Sequence, residues 1–291
     1  MLLIDILLPG LVLGGMYALI ALGLTLQYGV ARIMNLSYGE TLVAAALSAF
    51  SLFMGLQLSP LLALFLAVPA AAGLNWLLYR YVLMPLLRRH SDGGAREIDS
   101  ILATFGLLFV VQGIMLVAFG GQYYSYSYLS IPVVVLGSTL AVNRLVALAF
   151  AVAIGAAVYL ALTRTRVGTA VRALAVDANA ARLVGIDVAL LSGLAFAAGG
   201  ALVAAGGVLV SMFLTFNAAM GVVFTMKALV VVIMGGIGNV MGTLAAGLLL
   251  GLVETAVARL VDPGLTLAAT YALFLLVLLV KPAGLFGTAQ R

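Results

Sequence analysis

The chain has 291 residues, of which 65% are hydrophobic and only 8% charged, with a formal net charge of +5 and no cysteine. Soluble domains carry roughly 45–50% apolar and about 25% charged residues, so a soluble globular fold is excluded. Without cysteine there is no disulfide, thiol chemistry or cysteine metal site. The positive charge is arginine gathered in loops, a topology signal of membrane proteins that calls for no nucleic acid.

A helix needs about 20 apolar residues to cross the hydrocarbon core. Uncharged runs of that order cover Ile6–Ala31, Thr41–Tyr79, Ser100–Asn143, Leu145–Thr163, Val188–Met226, Ala228–Val253 and Pro263–Val280. They are rich in Leu, Ala, Val and Gly and do not alternate, so they predict helices and not a barrel. The first run has no basic start and is long enough to span, so no separate signal peptide is expected.

After it comes Asn35-Leu36-Ser37-Tyr38-Gly39-Glu40, where a break near 30–39 is expected, with Gly39 as the breaking residue. Asn35, Ser37, Tyr38 and Glu40 are candidate pathway or gate residues. Inside a membrane, irregular backbone occurs where it is buried in protein or lines a cavity, and an intramembrane carboxylate is costly enough to imply a use. The competing reading is a plain helix start. Asn35 or Ser37 would cap it, and Glu40 would meet the positive end of the helix dipole.

Gln57-Leu58-Ser59-Pro60 divides the second run into helices near 40–56 and 60–79. The segment about 80–99 carries Arg80, Arg88, Arg89, Arg96 and the single histidine, His90. A helix near 100–119 leads to a loop with Gly120-Gly121, Pro132 and Tyr123, Tyr124, Tyr126 and Tyr128. Tyrosines gather at membrane–water interfaces. Another helix follows near 143–163.

Arg164 to Asp187 concentrates Arg164, Arg166, Arg172, Arg182, Asp177 and Asp187 in a chain where charge is scarce. Asp177 can cap a short helix from Ala178 to Val184, and Gly185 suits its C-terminal cap. Arg182 would then be exposed. Two readings stay open: a docking helix for a cytoplasmic partner, or an interfacial helix anchored by arginines.

A helix near 188–213 comes next. Val222–Leu260 is far longer than the ~30 Å core at 1.5 Å per residue. It is expected to break at Gly235-Gly236-Ile237-Gly238-Asn239 into helices near 222–235 and 239–259. Gly235, Gly236 and Gly238 are the breaking residues, and Asn239 is a further candidate pathway residue. Glu254 is read as an interfacial carboxylate paired with Arg259 in preference to a pathway residue, and Lys227 as a snorkelling lysine. Gly238/Gly242 and Gly247/Gly251 are spaced for close helix packing.

The positive-inside rule puts the arginine loops about 80–99 and 164–187 in the cytoplasm, the N-terminus outside and the C-terminus inside. The expected fold is an all-α polytopic membrane bundle of about eight to nine segments, a single domain over 1–291. One histidine and no cysteine leave no triad requiring histidine and no clustered metal site. A P-loop needs Gly-Lys-Ser/Thr; the two lysines, Lys227 and Lys281, follow Met226 and Val280. The chain is therefore not expected to be an enzyme or to hold a metal or cofactor, and powered transport would need a partner.

Several stretches converge on one family. Tyr17–Thr25 with Asn35–Glu40, Arg166–Asp187 with Arg172, Asp177 and Gly185, Gly235–Asn239 with Gly242 and Gly251, and Lys281-Pro282-Ala283-Gly284-Leu285-Phe286-Gly287 all occur in order. Together they resemble the permeases of branched-chain amino acid ABC transporters, in the subunit type where Asn-x-Ala-His-Gly-Glu opens the second helix. The resemblance implies a multi-pass protein of the bacterial inner (cytoplasmic) membrane, surrounded by lipid and carrying a small-molecule solute. It implies a second homologous permease, two cytoplasmic ATP-binding subunits and a periplasmic or extracellular solute-binding protein. It makes Arg172, Asp177, Arg182 and Gly185 the coupling residues. Ser37-Tyr38 stands where the family commonly has Ala-His. That widens the implied cargo from branched-chain to other neutral amino acids, urea or amides. A secondary transporter or channel working without ATPases is the alternative from another class, because broken helices suit it as well.

Overall fold

The computed structural model describes residues 2–87, 93–135 and 137–287. Arg88, Arg89 and His90 lie outside the described residues. The order is α1 (Leu2–Ala31), α2 (Tyr38–Leu56), α3 (Pro60–Leu78), a π-helical turn (Tyr79–Leu83), α4 (Met84–Leu87), α5 (Gly93–Phe119), β1 (Pro132–Val135), β2 (Ser138–Ala141), α6 (Val142–Arg164), α7 (Arg166–Val176), α8 (Ala178–Leu183), α9 (Val188–Ser211), α10 (Gly221–Gly235), α11 (Val240–Leu260), a 3-10 turn (Pro263–Leu265) and α12 (Thr266–Val280). Among the described residues, eight helical stretches are long and apolar enough to cross a membrane, and α10 is a shorter apolar helix. The chain is an all-α polytopic membrane protein.

Local chemistry sets most boundaries. Ser59 accepts from Leu62 N and Pro60 supplies the first helical residue of α3. Asp187 accepts from Leu190 N at 3.0 Å and opens α9. Asn239 accepts from Gly242 N at 2.9 Å and opens α11. Two elements depart from expectation. α5 starts at Gly93, not near 100, so its 27 residues run about 40 Å. The extra turns carry charge out of the apolar layer, and Glu97 accepts from the Tyr28 hydroxyl at 2.8 Å. The tyrosine loop contains an antiparallel hairpin that pairs Pro132 with Ala141 and Val135 with Ser138. Its β-branched run Val133-Val134-Val135 favours strand.

α1 is the axis of the bundle. Its glycine side meets α11: a Cβ on Gly251 would fall on the Gly14 backbone, and one on Gly247 on Ala18. Lipid offers no hydrophobic drive between helices, so close backbone approach supplies the contact. The glycine spacing read from the sequence serves that approach. On another side α9 brings Gly199 onto Gly23 and Gln27, and Gly206 onto Ile20. Three of the four loop tyrosines face inward: Tyr124 and Tyr126 pack on Phe50, and Tyr128 on Phe53. Tyr126 shares a hydrogen bond with Ser211 at 2.8 Å, and burial pushes its phenol up to about 12. Tyr123 points outward.

The segment Gly235–Asn239 breaks the long run as expected. It is the hairpin turn between α10 and α11 at one end of the bundle. Gly236 (φ +100) and Gly238 (φ +79) take left-handed conformations that favour glycine. Gly238 packs on Gly29 near the end of α1, and the backbone of Phe286 and Gly287 covers Gly236. Asn239 Nδ2 donates to Phe286 O at 2.9 Å.

Candidate functional site

Three places concentrate polar chemistry. The first begins where α1 ends. Arg32 has φ +55, and the chain turns back. The Tyr38 side chain reaches back along α1, and its hydroxyl donates to Ile20 O, eleven residues before Ala31 and so about 16 Å along that helix. Asn35 meets Gln27, four residues before Ala31. The irregular stretch 32–37 therefore re-enters the protein.

Buried polar side chains hold it there, as buried backbone requires. Asn35 Nδ2 donates to Gln27 Oε1 at 3.1 Å, and Gln27 Nε2 donates to Phe196 O at 2.9 Å. Asn35 Oδ1 accepts from Ser37 N at 3.1 Å and Ser37 Oγ at 2.8 Å. Thr104 of α5 accepts from Leu36 N at 3.1 Å. The helix-start reading put the cap of α2 on Asn35 or Ser37, but Ser37 makes no side-chain cap bond. The free N–H of Gly39 goes instead to Thr225 of α10 at 2.8 Å. Gly39 lies in the first turn of α2, after the break, and serves contact: a Cβ there would fall on Gly221 O. Glu40 is fully buried, and both its carboxylate oxygens lack a hydrogen-bond partner.

The second place corrects two expectations. Lys227 does not snorkel, and Glu254 is not joined to Arg259. Because α10 and α11 form a hairpin, Lys227 Nζ meets Glu254 at 2.8 Å to Oε1 and 2.9 Å to Oε2. The Tyr17 hydroxyl donates to Glu254 Oε2 at 2.7 Å and accepts from Lys227 at 2.6 Å. The Thr270 hydroxyl donates to Glu254 Oε1. The pair thus ties α1, α10, α11 and α12 together, with Glu254 3% exposed. Tyr17 and Thr270 were not singled out for this role from the sequence, where each is one of three hydroxyl side chains in its apolar helix.

The third place is Arg164–Asp187. Thr165 accepts from Gly168 N at 3.0 Å and opens α7. Gly168 lets α7 turn back tightly on the end of α6, since a Cβ there would strike Ala161 O. The inner side of α7 buries Val171 and Leu174, which cluster with Val30 of α1, Ala181 of α8 and Ala195 of α9. Asp177 caps α8 by accepting from Asn179 N at 2.8 Å and Ala180 N at 3.1 Å. Gly185 takes φ +81 behind it. Arg172, Asp177 and Arg182 are exposed. So are Val176 (83%), Leu183 (90%) and Val184 (75%), which were not singled out from the sequence. Three exposed aliphatic side chains beside two arginines form a surface suited to a protein partner. Arg172 and Asn239, far apart in sequence, line one cavity of about 370 Å³ together with Gly29, Ala175 and Phe286.

Residues 6–280 match the family described as branched-chain amino acid transport system / permease component. The high-affinity branched-chain amino acid transport system permease protein BraD of Pseudomonas aeruginosa is 30% identical over 300 residues, covering 97% of this chain and 94% of its own. The corresponding LivH proteins of Salmonella typhimurium and Escherichia coli K12 are each 28% identical over 296 residues, with the same coverage. Among solved structures, PsaBC from Streptococcus pneumoniae in complex with Fab superposes with a TM-score of 0.50 at 11% identity, over 96% of this chain and 92% of that one. That likeness is one of fold alone.

Proposed function

Because the chain belongs to the branched-chain amino acid transport permease family, we propose that it is the permease subunit of an ATP-driven importer of branched-chain or other neutral amino acids. It would work in the bacterial cytoplasmic membrane. The observation that carries this reading is the likeness to BraD and LivH, which covers 97% of this chain and 94% of theirs. In this reading the chain forms half of the path beside a second homologous permease. A solute-binding protein delivers cargo from outside, and two ATP-binding subunits supply the energy.

The ATP-binding subunits dock on α8 and the end of α7, covering Val176, Leu183 and Val184, with Arg172 and Arg182 at the rim. Asp177 and Gly185 keep the short helix in shape. A push on α8 is delivered along three routes. Covalently it reaches α6 and α9. Through Val171, Leu174 and Ala181 it reaches Val30. Through the Arg32 guanidinium, which donates to Ala175 O at 3.5 Å, it reaches the root of the re-entering stretch 32–37. Rigid displacement of packed elements of this kind opens and closes paths.

Co-purification with the products of neighbouring genes, followed by reconstitution, tests the reading. ATP-dependent uptake of L-leucine is the expected result. Uptake that persists without any Walker-motif partner would instead support an ATPase-independent carrier. Ser37-Tyr38 in place of Ala-His keeps one second reading, a urea or amide importer, and preferential uptake of urea over leucine would establish it.

A further inference from the structure

Glu40 is the only carboxylate among the described residues with both oxygens buried and unpartnered. An ionised carboxylate is among the costliest groups to bury alone, and the rest of its neighbourhood is well satisfied. Thr225 serves Gly39 N and lies within bonding distance of Leu36 O and Gly221 O. Asn35, Ser37, Gln27 and Thr104 serve the backbone and one another. None of them reaches the Glu40 carboxylate.

What covers Glu40 is a seam. A Cβ on Gly221 would fall on the Glu40 carboxyl, and a Cβ on Gly39 would fall on Gly221 O. The two helices meet backbone to backbone at their first turns, so both positive dipole ends lie near the carboxylate. Each helix start follows irregular chain, at 32–37 before α2 and at 212–220 before α10. Such a seam can part by rotation in those stretches without breaking the helices' internal hydrogen bonds.

We propose that Glu40 is the ammonium-binding residue of the path. When α2 and α10 part, its carboxylate takes the α-ammonium of a zwitterionic amino acid. The inference rests on the permease reading above and names the part of the solute that this position recognises. An ammonium brings three donors to two unused acceptor oxygens, a charge-assisted match. A divalent metal fits less well, because it requires several ligands and no group of three His, Asp or Glu suited to a metal occurs among the described residues. The other carboxylate buried among the described residues, Glu254, has its donors already.

The test uses the assembled transporter in proteoliposomes. Glu40→Gln keeps the shape and removes the charge; Glu40→Asp keeps the charge. Leucine uptake by Glu40→Gln should fall at least about tenfold, the scale of one lost charge-assisted bond. The melting temperature should stay near wild type, and Glu40→Asp should transport faster than Glu40→Gln. A second arm uses wild-type protein. Dicyclohexylcarbodiimide should label Glu40 during ATP turnover, and L-leucine should slow that labelling while 4-methylpentanoate, which lacks the ammonium, should not. Wild-type uptake in Glu40→Gln, or equal protection by both compounds, overturns the inference and leaves the permease reading standing. If Glu40→Gln fails to assemble, the labelling arm decides alone. A wild-type protein that takes up no leucine removes the permease reading and this inference with it.

Discussion

Glu254 and Glu40 are both carboxylates sealed inside the helical bundle, yet their surroundings are opposite. Glu254 is enclosed by Lys227, Tyr17 and Thr270, whereas neither oxygen of Glu40 meets a donor. The first ties four helices where they cross. The second sits where two helix starts touch through glycine, each preceded by irregular chain. In apolar surroundings a satisfied charge pair resists separation, while an unsatisfied charge is stabilised by whatever can reach it. On the proposal that α2 and α10 part, the contrast separates a part of the bundle that holds from a part that opens.

The largest expected effect probes the holding part. Lys227→Met leaves Glu254 buried without its cation and should destabilise the protein by about 3–5 kcal/mol, read as a lowered melting temperature in detergent. The double variant Lys227→Met/Glu254→Leu should recover most of that loss. If Lys227 merely snorkelled, the single change would be close to silent, and the comparison would collapse.

A middle-sized effect probes the seam. Gly39→Ala forces the backbone of α10 away and should cost about 1–3 kcal/mol. Gly55→Ala in the same helix meets open space and should cost nothing measurable or stabilise. Equal melting temperatures for the two variants would mean that α2 and α10 do not meet at Gly39. Glu40→Gln sharpens the contrast further: it should melt no lower than wild type, unlike Lys227→Met. The smallest effect lies at the cytoplasmic surface. Asp177→Ala removes the cap of α8 at about 1 kcal/mol, visible as faster amide exchange over Ala178–Leu183 with the rest of the bundle unchanged.

The sequence revealed what local chemistry decides. Ser59-Pro60, Asp177, Gly185 and Asn239 mark helix ends by capping or conformational preference, and they do so where expected. The spans were legible from the length of uncharged runs, and close packing at Gly247 and Gly251 from glycine spacing, though not that α1 is the partner. The pairing of Lys227 with Glu254 was not legible, because it depends on the register of the α10–α11 hairpin. Arg259 lay nearer in sequence but on a different side of the helix. The capping of α2 by Thr225 was hidden for a similar reason, since the cap comes from a residue 186 positions away. The break at Gly235–Asn239 was legible from its glycine cluster and falls where expected, between α10 and α11. Glu40 was singled out as a buried carboxylate, but its lack of partners emerges only from three-dimensional packing.

The central claim is that force applied at α8 opens the seam over Glu40. It is tested most directly by carbodiimide labelling of Glu40 in the assembled transporter during ATP hydrolysis, comparing wild type with Arg182→Glu. Labelling should rise with ATP in wild type and stay at its resting level in Arg182→Glu, with hydrolysis continuing and Glu254 unlabelled in both. Equal, ATP-dependent labelling of Glu40 in the two proteins would contradict the account.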